Sequence, residues 1–192
     1  MAKLKDYSKV SVRNFLDALG APTASPGGGS AAALVAATSC ALLEMVAGIN
    51  ARRQKTEDRR QRDRLAKIRA RLLTLMSEDV KVFMALKSEL KKNPSGRKRD
   101  QIYLRAARPP LEICELSTRV ARACERERKR TSFWLMSDWR EAKILIRTAF
   151  YAAWLNVEVN LHEIKDQGLA KKVHAILKKL QSQVDAYAKN GR

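Results

Sequence analysis

The chain has 192 residues, 39 Lys plus Arg against 20 Asp plus Glu, and a formal net charge of +19. That length suits one domain with a real core rather than two, and the charge points to an anionic partner (RNA, DNA, an acidic membrane or a multiply negative small molecule) without choosing among them. Cys40, Cys114 and Cys124 form no CxxC pair and the opening MAKLKDYSKV has no apolar signal core, so reduced thiols, no structural zinc and a cytoplasmic location are expected.

Val10, Val12, Phe15, Leu16 and Leu19 recur with helical period, and Gly20 ends this first short helix. Residues 22–29 form a loop, and Ser30 is placed to cap a helix over residues 31–50, its hydroxyl accepting from first-turn amides. Residues 31–49 are apolar enough to suggest a membrane span, but they are Ala-rich and interrupted by Thr38, Ser39 and Glu44. A buried helix packed closely against its neighbours is expected, with no membrane partner. Leu65, Ile68, Leu72, Leu75, Val82, Phe83, Leu86 and Leu90 keep helical spacing through residues 57–92, and Asn93-Pro94-Ser95-Gly96 stops that run. A fourth helix spans residues 97–128, with a kink or break expected at Pro109-Pro110. After a loop at 130–136, Ser137-Asp138 opens a fifth helix carrying Ile144, Ala149, Ala152, Leu155, Val159 and Ile164. Asp166-Gln167-Gly168 ends it, and a polar helix runs on to about residue 188. With no β alternation of useful length, the fold class is all-α: an antiparallel bundle of about five to six helices.

Positive charge is clustered. Residues 52–71 hold ten basic side chains against Glu57, Asp58 and Asp63, and residues 87–108 and 119–130 are also positive. Such a surface is either a solvated helix face or a polyanion-binding one.

The segment Pro26-Gly27-Gly28-Gly29-Ser30 leads straight into a helix. Backbone N–H groups at such a turn, aided by the helix dipole, suit anionic or electron-rich groups, while glycine also permits close packing of the loop against another helix. It lacks the GK[ST] ending of a phosphate-binding loop, and no strand precedes it as a dinucleotide fingerprint requires. Asn156 and Asn160 share one helix face, available to a ligand edge or to backbone. Ser-Asp at 137–138 is ordinary capping chemistry on spacing alone. His162 and His174 have no third metal ligand at suitable spacing.

The stretch FLDALGAPTASPGGGSAAALVAATSCALLEMV, followed in order by EDVKVFMAL, AARPPLEI and SDWREAKILIRTAFYAAWLNVEVNLHEIKD, resembles the formimidoyltetrahydrofolate cyclodeaminase and methenyltetrahydrofolate cyclohydrolase family over residues 14–170. The resemblance implies a single homodimeric helical domain, residues 1–192, acting without cofactor or metal on the N5/N10 one-carbon bridge of tetrahydrofolate. The substrate is a tetrahydrofolate derivative bearing one or several glutamates. Asp138 is implied as the proton-shuttling carboxylate. Pro26, Gly27, Gly28, Gly29, Ser30, Asn156 and Asn160 are implied as substrate contacts, with Arg53 and Lys55 for the glutamate tail or dimer contacts. The motifs do not separate deaminase from hydrolase.

Departures from the family pattern are local. Arg130 to Met136 replaces a Gly-Asn pair, and Trp139 and Arg140 stand where small residues are usual, so bulky groups are expected at the pocket mouth. They motivate an alternative: a catalytically altered member binding nucleic acid or another polyanion through its basic face, with Phe133 and Trp134 either stacking bases or covering the pocket.

Overall fold

The structure, a computed structural model, describes residues 6–54 and 59–189. Among them are six α-helices and no strand: α1 (Val12–Gly20), α2 (Gly28–Arg53), α3 (Arg59–Leu90), α4 (Gly96–Glu127), α5 (Met136–His162) and α6 (Gln167–Lys189), with single 3₁₀ turns at Tyr7–Lys9, Arg128–Arg130 and Phe133–Leu135. The all-α expectation stands, and α2 is the centre, packed against α3, α4 and α5. Ala32, Ala33, Ala36, Ala37, Cys40, Leu43 and Val46 are all buried, so small side chains let three neighbours approach one axis. Ser39 Oγ donates to the Ala142 carbonyl at 2.7 Å and ties α2 to α5. By length and hydropathy α2 could cross a membrane, but here it is the core helix of the bundle.

Three local expectations are corrected. α2 begins at Gly28 with Gly27 at its N-cap and no side-chain cap, so Ser30 lies inside the first turn and is not the cap. No break occurs at Pro109-Pro110: α4 runs through both, and their rings are buried, apolar contact offsetting the lost backbone bonds. α5 starts one residue before Ser137, with Leu135 at the N-cap, so Ser137 does not cap it and Asp138 falls in the first turn.

The α5–α6 connection is clamped by α4. The Asp100 carboxylate, 5% exposed, accepts from the Lys165 and Asp166 N–H groups at 2.9 Å each, and these bonds hold it below the usual carboxylate range. Arg99 donates to the Glu163 carbonyl at 2.8 Å and its carboxylate at 2.6 Å. Asp166 caps α6 by accepting from the Leu169 N–H. The three cysteines are free and buried, and burial pushes the Cys40 and Cys124 thiols up to about 12, which removes them as nucleophiles at neutral pH. Trp139 is 1% exposed, with its indole N–H on the Cys124 carbonyl at 2.7 Å. It is therefore a core residue of the α4–α5 contact and not at a pocket mouth.

Candidate functional site

A cleft of about 260 Å³ opens where the N-terminus of α2 meets the C-terminal halves of α3 and α5 and the first half of α4. Gly27, Gly28 and Gly29 form one wall. Phe83, Leu86, Tyr103, Pro110 and Val159 supply apolar and aromatic surface, and Asp79, Glu163, Asn156 and Asn160 supply polar groups. No Lys or Arg lines it.

The glycines are explained by what touches them. A Cβ on Gly29 would overlap the Asp79 carboxylate, and one on Gly28 would sit 3.1 Å from Asn156 Nδ2 and 3.2 Å from its Oδ1. A Cβ on Gly27 meets nothing within 4 Å. Neither Gly28 nor Gly29 has a positive φ, so close approach and not conformational freedom selects glycine at both positions. The group filling the anion-accepting end of α2 is thus the protein's own Asp79, brought from α3.

Asp79 is the candidate site residue that motif reading does not single out, although it stands inside the segment EDVKVFMAL. Its carboxylate accepts from the Ser30 backbone N–H, a bond that lowers its pKa, yet desolvation is the larger effect and holds the group above its ordinary value of 3.8. Ser30 Oγ lies 2.8 Å from the Met76 carbonyl and 3.2 Å from Asp79 Oδ2. A hydroxyl has one proton, and the nearer acceptor takes the larger share of it. The longer contact to Asp79 Oδ2 is the weaker share of that donor and, like the Ser30 N–H, favours the carboxylate anion. Burial thus outweighs the hydrogen bonds and eases protonation of a carboxyl that faces the cleft, the property a proton-transferring group needs.

Asn156 Nδ2 donates to the Ala152 carbonyl and Asn160 Nδ2 to the Asn156 carbonyl, both at 2.8 Å. Each amide spends a donor on helix backbone and keeps its oxygen as an acceptor. The lining therefore offers four acceptor groups and flat apolar walls. That matches a donor-rich planar ring or a carbon bearing positive charge.

The remaining sequence-derived candidates are elsewhere. Pro26, joined to Ser25 by a cis peptide, lies directly before Gly27, is buried and does not line the cleft. Arg53, exposed, is at the far end of α2, roughly 37 Å along the axis from Gly28. Lys55 lies outside the described residues. Asp138 is half-buried on α5, about five turns or roughly 27 Å before Asn156, and does not line the cleft of its own chain. Five whole turns nevertheless put Asp138 and Asn156 on the same side of α5. Phe133 and Trp134 are 84% and 85% exposed and do not cover the cleft. His174, in a wider depression between α5 and α6, is engaged by Glu158 at 2.9 Å and the Ala170 carbonyl at 3.1 Å. Among the described residues no His, Cys, Asp or Glu group could hold a metal ion.

A sequence model of the formiminotransferase-cyclodeaminase family matches residues 11–179. The chain is 31% identical over 183 residues to the formimidoyltransferase-cyclodeaminase of Mus musculus, covering 85% of this chain and 33% of that protein. It therefore spans about one third of that relative's length. It is 24% identical over 174 residues to the methenyltetrahydrofolate cyclohydrolase of Methylorubrum extorquens, covering 84% of each. The crystal structure of formiminotetrahydrofolate cyclodeaminase from Thermotoga maritima superposes with a TM-score of 0.87 at 25% identity, covering 94% of this chain and 93% of that one.

Proposed function

Because the chain belongs to the formiminotransferase-cyclodeaminase family, we propose that it is an enzyme of folate one-carbon metabolism, acting as a formimidoyltetrahydrofolate cyclodeaminase or a methenyltetrahydrofolate cyclohydrolase. The single observation that carries the mechanism is the desolvated Asp79 carboxyl on Gly29, facing a cleft of acceptors. In the deaminase direction N10 attacks the formimino carbon, the N5–C–N10 bridge closes and ammonia leaves with a proton. In the hydrolase direction water adds to the methenyl carbon and the ring opens. Both routes pass a cationic carbon and need one proton moved beside it. Asp79 supplies that proton when neutral and stabilises the cation when ionised. Asn156, Asn160 and Glu163 accept from the pterin edge, while Tyr103 and Phe83 flank its ring. The tail carboxylates gain nothing from a lining without cations and extend beyond it toward basic surface. The alternative of an altered family member serving only as a nucleic-acid scaffold gains no support from the comparisons.

A homodimer completes this reading. Ile144, Leu155 and Val159 are 65%, 65% and 70% exposed along one line of α5, an apolar face that a second copy can bury. Their spacing suits a two-fold contact in which α5 crosses its partner antiparallel, with Ile144 against Val159 of the partner subunit. Such a crossing keeps the sides of the two helices aligned. It carries Asp138 of the partner subunit to the end of α5 where Asn160 and Glu163 meet the cleft. Asp138 then serves as a second carboxylate at the mouth of the neighbouring site.

The test assays both folate substrates with the wild-type chain and Asp79→Asn. Turnover of one substrate is expected, falling roughly 10²–10⁴-fold in the variant with helicity retained. Wild-type turnover in Asp79→Asn overturns the mechanism, and failure to turn over either substrate overturns the function.

A further inference from the structure

At the other end of the bundle a groove of about 340 Å³ runs between the first half of α3 and the second half of α4. Its rims are Arg64 and Lys67 on α3 and Arg119, Arg122 and Arg126 on α4, over a floor of Leu65, Ile68 and Ala123, and no carboxylate lines it. Gln61 at its edge donates to the buried Glu127 carboxylate at 2.7 Å, so the α3 rim is tied to the end of α4. Arg122 reaches the Tyr187 hydroxyl. Among the described residues Arg64, Lys67, Arg119 and Arg126 have no ion pair, whereas the neighbouring Arg69 and Arg71 are held by Glu44, Glu78 and Glu112. The groove thus gathers five cations with no carboxylate in its lining.

Directly beyond Arg126 the chain turns through Arg128–Arg130 and presents Phe133 and Trp134. They are the two most exposed of the large exposed apolar side chains, and their rings touch edge to face with centroids 5.6 Å apart. Folding leaves these two π-faces to solvent at a basic end of the chain, and neither lines the cleft of its own chain.

We propose that this end binds single-stranded nucleic acid, its phosphates along the α3–α4 groove and unpaired bases on Phe133 and Trp134. The two halves of the observation select the ligand together. Neighbouring helix axes are about 8–10 Å apart, so a linear polyanion fits between the rims, while a duplex is too wide and a bilayer too flat to reach the floor. Cations spaced along each rim match a repeating charge. An acidic peptide would satisfy them equally but offers nothing to stack, and exposed aromatics beside cations are how strands are held without reading sequence. The proposal does not rest on the folate chemistry, since none of its residues lines that cleft.

The test is fluorescence anisotropy with a labelled 20-nucleotide oligouridylate at 50 and 200 mM salt. Five phosphate contacts give a slope of log K against log salt near −3.5, a loss of about 10²-fold over that range. Arg64→Glu/Arg119→Glu/Arg126→Glu should weaken binding at low salt by more than about tenfold and flatten the slope. Phe133→Ala/Trp134→Ala should weaken it about tenfold with the slope unchanged. Folate turnover is read in parallel and should stay at the wild-type value in both. Four results overturn the proposal: unchanged binding in either variant; equal affinity for a duplex of the same length; competition by poly-glutamate or anionic phosphatidylserine vesicles as strong as by the oligonucleotide; or conversion of a dimer to a monomer by the aromatic double variant, which would make the pair a subunit contact.

Discussion

At Asp79 two effects of opposite sign meet. The α2 N-terminus and the Ser30 N–H favour its anion; loss of water disfavours it and is the larger. The sign for stability follows. A carboxyl raised in the folded state is stabilising only where it is protonated, and that stability is lost as pH rises from its ordinary 3.8 through the folded value. Asp79→Asn removes the titration, so its melting temperature should gain on wild type as pH rises from about 4 to 7, while turnover is lost. A constant difference across that range would show that Asp79 is not strained by ionisation. The neighbouring glycines give a graded expectation. Gly29→Ala must displace a carboxylate and should lower both stability and turnover; Gly28→Ala presses on the Asn156 amide and should chiefly weaken substrate binding; Gly27→Ala should retain turnover. Equal behaviour of all three would refute close approach as the reason for the run. Sequence alone made the need for a close approach legible. It could not name the group, because Asp79 is fifty residues away and meets Gly29 only through the α2–α3 packing.

α5 carries both carboxamides of the cleft and, five turns earlier, the Ser-Asp motif. Helical period was enough to find the element and its face. It did not reveal that Asp138 and Asn156 cannot share a site within one chain, since a helix is straight and distance accumulates at 1.5 Å per residue. The start of α5 also differs from the sequence expectation: Ser and Asp suit an N-cap, but the turn at Phe133–Leu135 feeds the helix one residue sooner. Pro109-Pro110 suggests a kink or break on local propensity, but α4 runs through both because their burial is tertiary. If the site is built across a two-fold axis, mixing Asp79→Asn with Asp138→Asn subunits should restore activity to about one quarter of wild type. Half the dimers are then mixed, and each has one intact site. Should the mixture never exceed the better single variant, the two carboxylates act in the same chain or Asp138 does not act.

Over the whole molecule, charge and apolar surface are segregated. The cleft at the α2 N-terminus and the α3–α4 groove occupy opposite ends of the bundle, and the exposed apolar line of α5 runs along it. Composition signalled an anionic partner, yet the cleft proper contains no cation, so net charge was a guide to the surface and not to the reaction. The same segregation makes the dimer testable by one change. Leu155, 65% exposed, lies mid-line, and Leu155→Arg adds a charge that costs nothing in a solvated monomer. In a two-fold contact it puts two new cations into a buried apolar interface, where their desolvation is costly. Light scattering at micromolar concentration should give a dimer for wild type and a monomer for the variant, with helicity kept. Turnover should fall with the dimer, because Asp138 is then supplied to no neighbouring cleft. A variant that stays dimeric and active places the interface on another face, and a wild-type monomer with full turnover removes the partner carboxylate from the mechanism and leaves Asp79 to act alone.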